Sequence, residues 1–233
     1  MIFEDRTHAG QLLAKELARY GDRDVLVLAL PRGGVPVGAK IARQLHAELD
    51  VVITRKIGAP GDPELAIGAV SGNGAVILNE GLVRVLGVPE EYIREAAARE
   101  RAEIHRRSLL YRGGRPAPRV KGRTVIVVDD GIATGYTMLA ALRGVRQEGP
   151  ARLAAAVPVA PRDSIAKLEA EADDVVVLST PTHFFAVGQF YEDFSQVTDE
   201  EVQAILAEGR AFMRSPKPPD AGFPNGSSPG RPE

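Results

Sequence analysis

Five short apolar runs, spaced by helical patterns, set the plan of this chain. Residues 25–30 and 124–128 read Val-Leu-Val-Leu-Ala-Leu and Thr-Val-Ile-Val-Val, without polar alternation. A strand that is apolar on both faces is covered on both, as in a parallel sheet. Residues 49–53, 153–159 and 175–178 repeat the pattern. Between these runs, residues 35–45, 137–147 and 164–172 carry helical patterns. A helix over 9–20, with Leu12, Leu13, Glu16 and Leu17 at helical spacing and Gly21 closing it, precedes the first strand. Another helix, over 199–213, ends the series. This alternation predicts an α/β fold on a doubly wound parallel sheet.

Three stretches break the rhythm. Residues 66–70 and 75–78 flank Ser71-Gly72-Asn73-Gly74, a hairpin signal with Asn-Gly at its tip. Residues 79–111 read as two helices, the second opened by Pro89. Ile93, Ala97, Ile104 and Tyr111 share a face of the second helix, with Glu100 in the same stripe, so Glu100 is expected to pair with an arginine. The pair, 79–116, reads as a helical insertion packed on the sheet edge and ending in Arg112-Gly113-Gly114-Arg115-Pro116. Residues 181–194 form an aromatic-rich irregular segment. Pro, Gly, Ser and Asp dominate 215–233, which predicts a disordered tail after a domain spanning 1–214.

Composition narrows the partners. The net charge of −2 gives no basic field for nucleic acid. The absence of Cys excludes disulfides, thiolate catalysis and Cys-based metal sites. No apolar run approaches the roughly 20 residues that cross a bilayer, and the first residues lack a signal-peptide pattern. The expectation is a cytoplasmic protein with no membrane partner.

The chemistry concentrates in Val125-Ile126-Val127-Val128-Asp129-Asp130-Gly131-Ile132-Ala133-Thr134-Gly135-Tyr136-Thr137. A buried strand delivers two adjacent carboxylates to its carboxyl end, where open α/β sheets bind ligands. A small-residue turn and a helix start follow, able to aim backbone N–H groups and a partial positive charge at an anion. Thr134 and Thr137 add hydroxyl donors. The pattern is a phosphate cradle beside two acceptors suited to vicinal ribose hydroxyls. No Gly-Lys-Ser/Thr of a Walker loop occurs, and no Gly-x-Gly-x-x-Gly follows the first strand.

This run closely resembles the type I phosphoribosyltransferase signature, and the resemblance extends over most of residues 1–212. It implies that Asp129 and Asp130 bind the ribose hydroxyls of phosphoribosyl pyrophosphate, and that Ala133, Thr134, Gly135, Tyr136 and Thr137 bind its 5-phosphate. Pro31-Arg32-Gly33-Gly34 stands where the family keeps its pyrophosphate loop, often with a non-proline cis peptide, here at Pro31–Arg32 or Arg32–Gly33. Arg55 and Lys56, read at the end of the second strand, resemble a pair that several members turn toward the substrate's phosphates, with Gly58–Asp62 as a mobile loop. Residues 181–194 resemble the hood of purine-salvage members. There Phe185 would stack on the base, and Glu192 or Asp193 would join Asp129 and Asp130 in holding hydrated Mg2+. Arg32 and Lys56 would neutralise the leaving pyrophosphate. Arg112 and Arg115 are weaker candidates for closing over it.

The implied activity is Mg2+-dependent transfer of the phosphoribosyl group to a nitrogenous base. The Arg/Glu faces of the inserted helices exceed what one sheet edge can cover, which predicts a partial lid or a subunit contact in a homodimer. The alternative is a regulatory protein that binds phosphoribosyl pyrophosphate or a nucleotide without catalysis. The signature looks most like the adenine-salvage version. Ala133 stands where 6-oxopurine members usually keep an Asp, and no Lys lies near Val157-Pro158-Val159. Those departures leave the acceptor base open.

Overall fold

The computed structural model describes residues 1–21 and 23–214, so the expected tail at 215–233 lies outside the described residues. Helix α1 (Arg6–Glu16) begins earlier than its apolar spacing predicts, because Asp5 caps it: the Asp5 carboxylate accepts the His8 N–H at 2.7 Å. The rest of the expected helix is a separate 3₁₀ turn, Ala18–Tyr20.

β1 (Val25–Ala29), α2 (Gly34–Leu45), β2 (Glu48–Val51), β6 (Thr124–Val128), α5 (Tyr136–Gln147), β7 (Arg152–Val159), α6 (Arg162–Glu169) and β8 (Asp174–Ser179) form the α/β body. Its parallel sheet has the order β2-β1-β6-β7-β8. Apolar side chains alternate between its two faces. Val27, Ala29, Ile126, Val128, Ala154 and Ala156 join one core with α1, α2 and α7 (Asp199–Arg214). Leu26, Leu28, Val125, Val127, Leu153 and Ala155 join the other, with α5 and α6. Burial on both faces accounts for the missing polar alternation in these strands.

A second, antiparallel sheet holds β3 (Thr54–Ala59), β4 (Asp62–Ser71) and β5 (Val76–Leu78), in that order. This corrects the reading of 54–62. Arg55 and Lys56 do not end β2; they belong to β3, which starts a new sheet. Gly58–Asp62 is the end of a hairpin rather than a free loop, with Ala59 paired to Asp62 across Pro60-Gly61. Gly61 takes φ +79°, which glycine alone adopts readily. The Ser71–Gly74 turn docks on α5. The Asn73 side-chain amide donates to the Gly144 carbonyl at 2.6 Å, and a Cβ at Gly144 would lie 2.8 Å from Ser71 Oγ.

The two inserted helices are α3 (Glu80–Leu86) and α4 (Glu90–Arg112), with Pro89 at the N-cap of α4. Ala97, Ile104 and Tyr111 are buried as the stripe predicts. They pack α4 against β3, β4 and α7, and it meets the parallel sheet at its edge strand β2. There Arg112 pairs with Asp50 at 3.0 Å and donates to the Val51 carbonyl at 2.9 Å, which commits this guanidinium to the scaffold. Among the described residues, no helix is long and apolar enough to cross a membrane.

Candidate functional site

The strand order reverses between β1 and β6: the chain proceeds outward from β1 to β2 on one side and from β6 to β7 and β8 on the other. The helices that follow the two strands leave for opposite faces, which opens a crevice at the strands' carboxyl ends. Ala29 pairs with Val128, and the Leu30 N–H donates to the Val128 carbonyl at 2.8 Å, so both loops leave from one point.

The loop after β1 contains a cis peptide at Pro31–Arg32, one of the two expected positions. Gly33 has φ −63° and ψ −33°, a conformation open to any residue. Space is what selects glycine: a Cβ at Gly33 would lie 1.9 Å from Asp130 Oδ2. At Gly34 it would lie 2.7 Å from the Val128 carbonyl oxygen and 2.9 Å from Asp129 Cα. The Pro31–Gly34 loop and the acidic pair therefore lie directly against each other. Arg32, half-buried, extends toward Asp199 at the start of α7, with 3.9 Å between Nη1 and Oδ1. Asp199 also accepts the Tyr111 hydroxyl at 2.6 Å.

After β6, both Asp129 and Asp130 are half-buried. Asp129 Oδ1 accepts the Asp130 N–H at 2.8 Å. Burial, and then the neighbouring Asp130, push the Asp129 carboxyl well above the ordinary range. Burial raises Asp130 too, against the opposing pull of the Arg6 guanidinium. Two carboxylates forced together out of water favour anything that supplies hydrogen bonds or positive charge.

The chain then turns through Ala133 and Thr134 to Gly135, the N-cap of α5, at φ +84°. No side chain caps this helix, and the first amides of any helix lack intrahelical acceptors. Thr134 and Thr137 are exposed beside them, Tyr136 is half-buried, and Ser164 Oγ holds the Ala133 carbonyl at 2.9 Å. The result is an open turn at a helix N-terminus, an arrangement able to receive an anion.

The hood covers the acidic pair from the far side. A Cβ at Gly131 would lie 2.4 Å from Val187, and the Tyr191 hydroxyl donates to the Asp130 carbonyl at 2.6 Å. Phe184 stacks on Phe190, whereas Phe185 is 88% exposed.

The remaining candidates stand elsewhere. Arg55 is held by Glu100 of α4 at 2.8 Å, the partner expected for that glutamate. Lys56 is exposed on β3. Glu192 and Asp193 are exposed, and the Asp193 carboxylate accepts from the Ser195 backbone and hydroxyl, which lowers its pKa. Among the described residues, no three His, Asp or Glu side chains gather as a metal cluster. The adjacent Asp pair still fits Mg2+, which commonly takes one or two carboxylates and completes its shell with water and substrate phosphates.

Sequence reasoning missed Arg6, Tyr191 and Phe194. Arg6 Nε donates to Asp130 Oδ2 at 2.7 Å, and the guanidinium lies 4.0 Å from the centre of the Phe194 ring. One signal was available: Arg6 opens α1, where a positive charge opposes the helix dipole and asks for a tertiary partner.

A family model for the phosphoribosyl transferase domain matches residues 6–195. A Mycobacterium tuberculosis protein, provisionally named a phosphoribosyl transferase, is 42% identical over 225 residues, 94% of this chain and 51% of that relative. The chain thus spans about half the length of the curated relatives it matches. The crystal structure of TT1426 from Thermus thermophilus is similar with a TM-score of 0.76 and 50% identity, covering 89% of this chain and 99% of the other. The AQ2163 protein from Aquifex aeolicus shares the fold at 12% identity and a TM-score of 0.50, over 78% of each chain.

Proposed function

Starting from a chain that belongs to the phosphoribosyl transferase family, we propose that it moves the phosphoribosyl group of phosphoribosyl pyrophosphate onto a nitrogenous base and releases pyrophosphate. One observation carries the reading: Gly33 lies against Asp130 while the uncapped start of α5 opens from the same strand end. In this reading a pyrophosphate loop, a diol site and a monophosphate cradle share one crevice.

In this mechanism the 5-phosphate rests on the 133–137 amides and the Thr134 and Thr137 hydroxyls. Asp129 and Asp130 accept from the ribose hydroxyls, which favours their charged forms. Their negative charge then stabilises the ring as the bond from C1 to the pyrophosphate oxygen lengthens and positive charge develops. Arg32 and the Gly33–Gly34 backbone hold the departing pyrophosphate, with Arg55 and Lys56 of β3 as further candidate cations. Phe185 offers an exposed face for the base, aligning its nitrogen for attack. Bound Mg2+, held by Asp129, Asp130 and water, would neutralise pyrophosphate charge, with Glu192 or Asp193 kept as the candidate further acid. A homodimer belongs to the same proposal, supported by the outward Val85, Leu86, Leu109 and Leu110 of the two inserted helices.

The test is a pyrophosphate-release screen over purines, pyrimidines and other nitrogen heterocycles, beside calorimetry of the donor with Mg2+. Release with at least one base is expected. Donor binding without release for any base would favour the regulatory alternative; no donor binding would remove both.

A further inference from the structure

Arg6 stands where three parts of the molecule meet. Its Nε donates to Asp130 Oδ2 at 2.7 Å and its Nη1 to the Ser195 carbonyl at 2.7 Å. Its guanidinium lies 4.0 Å from the centre of the Phe194 ring and 6.0 Å from that of Tyr191. The ion pair is largely withdrawn from water, with side-chain exposures of 12% for Arg6 and 13% for Asp130. Around it, the N-terminal segment and the hood are laced together: Phe3 N–H to the Phe190 carbonyl at 2.8 Å, Glu192 N–H to Phe3 at 2.8 Å, and Asp193 N–H to Glu4 at 2.9 Å.

A surface ion pair would hold neither partner in place. Here the planar fork is used at both ends, one N–H on the carboxylate and another on the Ser195 carbonyl at the end of the hood, while its face packs on an aromatic ring. A lysine ammonium has no planar fork to span both acceptors and stack at once.

We propose that Arg6 is a positioning residue that couples the ribose site to the hood, so that occupancy of the donor site rigidifies residues 190–195 over the place where the base binds. The inference rests on the reading of Asp130 as a ribose ligand. The donor fixes the Asp130 carboxylate, Arg6 is fixed with it, and Ser195 and Phe194 are fixed by Arg6.

The experiment is hydrogen exchange on the full chain with and without phosphoribosyl pyrophosphate and Mg2+, with calorimetry of the donor alongside. In the wild type, the donor should slow exchange of the Glu192 and Asp193 amides. In Arg6→Gln and Arg6→Lys, the donor should still bind, with Kd within about tenfold, but its effect on 190–195 should vanish, lysine giving no rescue. Phe194→Leu, which keeps the ion pair and the buried core, should lose part of the effect and guards against an Arg6 variant that does not fold. Undiminished donor-dependent protection in the Arg6 variants, or a wild type that binds donor without protecting the hood, overturns the coupling and leaves the proposed function standing. Loss of all donor binding in folded Arg6 variants also overturns it, since Arg6 would then be a donor contact. A wild type that binds no donor overturns the functional reading itself.

Discussion

Arginine meets carboxylate in two contrasting regions of this molecule, the crevice at the ends of β1 and β6 and the outer face of α4. On α4, Glu103 accepts from Arg106 at 2.7 and 2.8 Å and from Arg107 at 2.8 Å, with Arg106 63% exposed. Those hydrogen bonds push the Glu103 carboxyl down to about 2. In the crevice the same chemistry runs the other way: burial and then the neighbouring Asp130 raise Asp129, and burial alone raises Asp130 against the pull of Arg6. The exposed cluster is satisfied by its own helix. The crevice remains short of hydrogen bonds and positive charge, which in the proposed function a sugar diol and a hydrated cation would supply.

The largest expected effect comes from breaking the crevice. Asp129→Asn keeps an acceptor for the Asp130 N–H but removes a charge needed when the ribose becomes positive, so turnover should fall about 10²–10³-fold in a pyrophosphate-release assay. The same substitution should raise Tm at neutral pH by about 2–4 °C, the shift that roughly 1 kcal/mol produces in a domain of this size. The sign follows from linkage: a carboxyl with a raised folded pKa loses its stability contribution as pH rises through that pKa. The advantage of the variant should therefore be absent in acid and grow upward from the ordinary carboxylate range. An Asn variant that is less stable at neutral pH would contradict the account of the site.

Gly33→Ala tests the contact between the loops. Its backbone suits alanine, but the new Cβ must displace the Asp130 carboxylate from 1.9 Å. Steady-state kinetics should show kcat/KM for the donor falling about a hundredfold, or ~2.7 kcal/mol, with the far-ultraviolet circular dichroism unchanged. Thr134→Val removes one hydroxyl from the cradle and should weaken donor binding in calorimetry by about 1–3 kcal/mol, the range for a hydrogen bond to a charged group.

The smallest effect belongs to α4. Glu103→Gln should move Tm by less than about 2 °C at neutral pH, as exposed pairs do. Because the folded pKa of Glu103 is depressed, its contribution is present above the ordinary value of 4.5 and lost as pH falls toward about 2. Wild-type and Glu103→Gln stability curves should converge over that window. Asp129→Asn and its wild type should instead diverge as pH rises.

Much of the molecule was legible along the chain, since its periodicities are local and strong. The strand at 124–128, the helix after it and the stripe of α4 agree with the structure because burial on one or both faces dictates the spacing of apolar residues. Gly135 marked the start of α5 because a helix start at positive φ without a side-chain cap has few solutions. The 54–62 segment was not legible. Val51 of β2 and Ile57 of β3 are buried in one core although the two strands belong to different sheets, so the apolar pattern does not mark where one sheet ends and the next begins.

The doubly wound body, the acidic pair at the end of β6 and the turn into α5 follow from the chain alone, all set by short-range patterns that water enforces on any sequence. Only the tertiary structure decided how those parts are used. Gly33 is glycine for the sake of a carboxylate 97 positions later in the chain, Arg6 meets Asp130 across 124 positions, and Arg55 is claimed by Glu100 across 45. Such pairings depend on which strand ends the sheet order brings together, and no local spacing carries that information.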